Sequence, residues 1–147
     1  MVEKEKGLTD NLKQLILALE VDTKTYLDSF DVKDMIILSA DEAIRKKHLK
    51  NYKDFSVKLK KHIEGFENNI ASLSLLICEA DNLSDKELTQ SLIKKFDNYS
   101  LFFVSVTKFI NNCEAVFLDK NTTFRQSLII GYTRELFISI QSYKNSL

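Results

Sequence analysis

The chain has no proline, no tryptophan, three glycines, two cysteines and two histidines in 147 residues. Without proline, nothing removes a backbone donor inside a helix, and with so little glycine few other breaks are expected. The scarcity of histidine restricts metal chemistry. A di-iron bundle needs a Glu three residues before each ligating His. Arg45 stands there before His48, and Leu59 before His62. No Cys-x-x-Cys, His-Glu-x-x-His or P-loop pattern is present. Cys78 and Cys113 both fall on apolar faces and read as buried free thiols of a reducing compartment. The expectation is a non-enzyme with no metal and no cofactor.

Net charge is zero, from 21 basic and 21 acidic residues. That balance argues against a general nucleic-acid or membrane-surface role. The charges are unevenly spread: residues 1–44 sum to −5, residues 45–62 to +7 and residues 63–147 to −2. The amino-terminal residues are charged and lead into no apolar run, so no signal peptide is read. The longest uncharged stretch, Asn68 to Cys78, has 11 residues, against about 20 for a membrane span. A cytoplasmic protein is expected.

What is abundant is helical periodicity. Leu92, Phe96, Tyr99, Phe103, Val106, Ile110, Cys113 and Phe117 alternate at four and three residues, lining one face of a long helix. Leu12, Ile16, Leu19, Thr23, Tyr26, Phe30 and Ile37 predict a first helix over about 8–38. Tyr52, Phe55, Leu59, His62, Phe66, Asn69, Leu73, Leu76 and Ala80 predict a second over about 40–81. The boxes Ser39–Glu42 and Ser84–Glu87 fit helix caps, as does Thr123 with Gln126. These place the third helix at about 85–119 and the fourth at about 124–145. The fold class is all-α: one domain over 1–147, an elongated antiparallel bundle of three or four long helices. The second helix, longest of all, should project beyond the rest. Phe103 and Ile110 should be core.

A hairpin near residue 39 sets Glu20, Asp22, Asp28, Asp31 and Asp34 at the level of Lys58 back to Arg45. The acidic helix then zips against the basic one, so Lys46, Lys47, Lys50, Lys53, Lys58, Lys60 and Lys61 read as an internally paired face, not a nucleic-acid patch. His62, on the apolar stripe, reads as partly buried and hydrogen-bonded.

The fourth helix has an apolar surplus. Leu128, Ile129, Ile130, Tyr132, Leu136, Phe137, Ile140 and Tyr143 cover an arc of about 200°, where one-sided packing needs about 100°. Either this helix lies in a groove between two others, or part of the face receives a partner's helix. The partner-binding expectation is Leu128, Ile129, Ile130, Tyr132, Leu136, Phe137 and Ile140. Leu101, Phe102 and Val104 form a similar surplus on the third helix.

Two segments resemble the FlgN family of flagellar export chaperones. One is the amino-terminal hairpin, Leu12-Lys13-Gln14-Leu15 through Tyr26-Leu27, then Leu49-Lys50-Asn51-Tyr52 through Ile63-Glu64. The other is Asn121 to Leu128, followed by Tyr132-Thr133-Arg134-Glu135-Leu136-Phe137 and a late Tyr143. The resemblance implies a cytosolic chaperone of type III flagellar export. Such a protein binds the C-terminal helical segments of hook–filament junction proteins, prevents premature assembly and delivers them to the export apparatus. A structural adaptor or oligomerisation module fits the same pattern, as does, less well, an RNA-associated helical protein using residues 45–62.

Overall fold

Four helices follow one another with no strand among the described residues, which are 2–30, 42–119 and 125–147 of this computed structural model. They are α1 (Val2–Asp28), α2 (Glu42–Asn82), α3 (Lys86–Leu118) and α4 (Gln126–Ser146). Each packs on its sequence neighbours, and α4 closes the ring against α1. The result is the expected antiparallel bundle, in its four-helix form.

The two amino-terminal stripes fold as their spacing predicts. Leu12, Ile16, Leu19, Thr23 and Tyr26 are buried on α1, joined by Leu8. On α2 the buried set includes Tyr52, Phe55, Leu59, Phe66, Leu73, Leu76 and Ala80. Tyr26 stacks on Phe55 with ring centroids 4.5 Å apart, which sets the hairpin register. Gly65 permits close approach there: a Cβ would sit 3.0 Å from a methyl of Leu15.

Helix boundaries depart from expectation at two ends. The first helix begins at Val2 and stops at Asp28, not 38, where the Ser29 N–H and hydroxyl both donate to the Tyr26 carbonyl. Ile37, Ser39 to Asp41 of the first capping box and Thr123 lie outside the described residues. The α2–α3 turn is capped differently from the Ser84–Glu87 expectation. Ser84 takes a left-handed φ of 58°. The Ser84 N–H donates to Asp81 O and the Asp85 N–H to Ala80 O, the pattern of a Schellman ending. Asp85 then caps α3, its Oδ1 accepting from Leu88 N at 3.1 Å.

On α3 the core stripe is Leu92, Tyr99, Phe102, Val106, Phe109, Cys113 and Phe117. Phe103 is 38% exposed and Ile110 only half-buried, so both differ from the heptad expectation. Leu92, Tyr99, Val106 and Cys113 keep the seven-residue repeat, while packing between α2 and α4 takes Phe102 and Phe109 into the core in place of their neighbours Phe103 and Ile110.

The bundle has two unequal halves. Phe66, Tyr99, Phe102 and Tyr143 meet in one aromatic cluster, which places the C-terminal end of α4 near the middle of α2. Toward the α2–α3 turn three of the four described helices remain. There Lys95 Nζ reaches across to Glu5 Oε1 at 2.8 Å and Thr9 Oγ1 at 3.0 Å. Lys4 approaches Glu79 at 3.9 Å. The 41-residue α2 is about 62 Å long at 1.5 Å per residue. It does not project bare, as its length suggested, because α1 and α3 accompany it to the end.

Candidate functional site

The apolar surplus of α4 is largely absorbed by packing. Ile129, Ile130, Leu136 and Ile140 are buried, Tyr132 and Phe137 half-buried, and Leu128 is 43% exposed. The wide arc exists because α4 lies between α1 and α3 and needs an apolar side toward each. Four of the seven residues expected to bind a partner are therefore core of this fold, and a partner helix has no access to them.

The charges are also arranged differently from the expected zip. Glu20 faces α4 instead, accepting from Lys144 Nζ at 3.1 Å. Asp28 pairs with Lys24 of its own helix at 3.0 Å. Across the α1–α2 seam Asp22 Oδ2 lies 2.6 Å from His62 Nε2, so His62 is the partly buried, hydrogen-bonded residue expected. Asp31 and Asp34 lie outside the described residues. Lys46, Lys50, Lys53, Lys58, Lys60 and Lys61 are exposed and form no ion pair among the described residues.

His48 is buried and stacks on Phe30, ring centroids 5.7 Å apart. The sequence signal for this was its position four and seven residues before Tyr52 and Phe55. Cys113 is buried and Cys78 exposed, so only one thiol matches the buried expectation. Burial pushes the Cys113 thiol up to about 12, with the Glu114 carboxylate adding to the shift. Among the described residues no cluster of three or more His, Cys, Asp or Glu is placed to hold a metal.

What the surface offers is concave and apolar. Between α2 and α3 runs a groove of about 500 Å³ with Leu49, Tyr52, Val57, Phe117 and Leu118 as its apolar lining. Val57 and Leu118 are 68% and 76% exposed. Lys53, Lys60 and Glu114 supply its charge. Periodicity does not mark this groove, because Val57 sits among lysines and Leu118 is the last residue of its helix. A second groove, about 410 Å³ between α1 and α2, is lined by Leu8, Leu75, Leu76, Lys4 and Glu79 among others. By length and composition α3 is apolar enough to cross a membrane. In the bundle it packs between α2 and α4.

No family model, no curated protein and no solved structure matches this chain.

Proposed function

We propose that this protein acts by holding a helical segment of another protein, as a cytoplasmic chaperone of type III flagellar export. Its cargo in this reading is the C-terminal segment of a hook–filament junction protein. Binding needs no enzymatic step, no nucleic acid and no insertion into a membrane. The observation that carries the reading is the α2–α3 groove, where exposed Val57 and Leu118 share a lining with Lys53 and Lys60. An amphipathic helix lays apolar anchors into such a groove, and carboxylates on its flank meet the lysines. The FlgN resemblance of residues Leu12 to Glu64 and Asn121 to Tyr143 supports the same reading. The site differs from the α4 face expected from sequence, since that face is spent on the core.

Calorimetric titration of a hook-junction C-terminal peptide tests this. Wild type should bind. Val57→Glu combined with Leu118→Glu should weaken binding at least tenfold, about 1.4 kcal/mol, because apolar anchors carry such interfaces. Circular dichroism should stay unchanged, both positions being exposed. A wild type that ignores the peptide, or a folded variant with full affinity, removes the proposal. Affinity for RNA that collapses as salt rises would instead assign the lysines of α2 to phosphate.

A further inference from the structure

The outer side of α3 carries an apolar strip that no other described helix covers. Ile93, Asp97, Leu101, Val104, Lys108 and Asn111 follow one another at spacings of three and four, so they form one line along the helix. All six are exposed, Leu101 at 70% and Val104 at 63%. Val104 lies about 200° around the helix from Val106, which is buried, so the line faces away from the core.

The charges on this line are ordered. Asp97 stands four residues before Leu101, and Lys108 four residues after Val104. The two are eleven residues apart, within about 20° of three full turns. Neither forms an ion pair among the described residues. One acid and one base thus flank an apolar pair symmetrically.

We propose that this strip pairs with the same strip of a second copy of the chain, antiparallel about a two-fold axis midway between Leu101 and Val104. A two-fold interface requires that whenever residue i meets j, j meets i. Here that condition is satisfied twice over. Leu101 of each copy meets Val104 of the other, and Asp97 of each meets Lys108 of the other. A parallel arrangement would instead set like charges together. A membrane surface calls for a rim dominated by bases, and this strip has one base and one acid. One helix pair buries less than the roughly 800 Å² per partner of a standard interface, so the association is weak and concentration-dependent.

Sedimentation velocity on the full chain, from about 1 μM to 1 mM, reads the monomer–dimer equilibrium. Wild type should dimerise reversibly within that range. Asp97→Lys and Lys108→Asp should each raise the dissociation constant at least tenfold, since each sets like charges opposite one another at both ends of the pair. Mixing the two variants should restore association to wild-type strength, because one strip then carries two bases and the other two acids. Both positions are exposed, and unchanged circular dichroism will show that the fold survives. A wild type that stays monomeric throughout overturns the proposal and leaves the strip to a different occupant. A mixture no tighter than either variant alone overturns it as well, as does a dimer indifferent to both substitutions.

Discussion

Phe102 of α3 and Tyr143 of α4 stack face to face, their centroids 4.9 Å apart and their planes 13° from parallel. The pair sits where α4 ends, and Phe66 and Tyr99 complete the cluster. Phe102 is 3% exposed and its neighbour Phe103 38%.

Two adjacent phenylalanines should therefore behave differently. Phe102→Ala should cost about 3–5 kcal/mol, the range for a buried aromatic. Phe103→Ala should cost less than half as much. Urea titrations of both variants measure this, and equal losses would return the core to the heptad phase read from sequence.

The two thiols should separate by reactivity. In the native protein a disulfide reagent should modify Cys78 quickly and leave Cys113 untouched, since burial holds the Cys113 thiol up to about 12. In denaturant both should react. Rapid modification of two thiols in the folded protein would contradict the packing around Cys113.

Four tyrosines predict alkaline unfolding. Tyr26, Tyr52 and Tyr143 are raised well above the usual phenol value and Tyr99 to about 12, in each case chiefly by burial. The native state therefore keeps these protons while the unfolded chain loses them near pH 10. Stability should be whole below about pH 10 and fall as pH rises beyond it. Tyrosinate absorbance and helical circular dichroism should change together. Full ionisation of all four with the helices intact is the contrary outcome.

Asp22 and His62 join the hairpin across 40 residues of sequence, both partly shielded. A double-mutant cycle with Asp22→Ala and His62→Ala should give a coupling of about 1 kcal/mol. The same cycle on the exposed pair Lys24 and Asp28 should give under about 0.5 kcal/mol. Equal couplings would mean the seam pair is as solvated as the surface one.

Ser84 holds the left-handed position of the α2–α3 turn at φ 58°. Ser84→Gly should stabilise by about 0.5–1 kcal/mol, because glycine adopts that conformation without a Cβ penalty. Thermal unfolding checks the sign, and a loss would show that the serine side chain contributes more than the strain it causes.

The all-α class, the pairing of α1 with α2 and the stripes of α1 and α2 were legible in the sequence. In each of those helices the apolar residues at 3.6-residue spacing are mostly separated by polar ones, so only one face is able to be buried. The phase of α3 was not legible. Phe102 beside Phe103 and Phe109 beside Ile110 satisfy either of two stripes, and only packing against α2 and α4 chose between them. The same held for the candidate site. A 200° apolar arc on α4 is equally consistent with one neighbour plus a partner or with two neighbours in the same chain. The contact of α4 with both α1 and α3 decided for the second. The grooves and the outer strip of α3 depend on which residues are left over once four helices have packed. Periodicity ranks the faces of one helix; the occupancy of each face is a property of the assembled bundle.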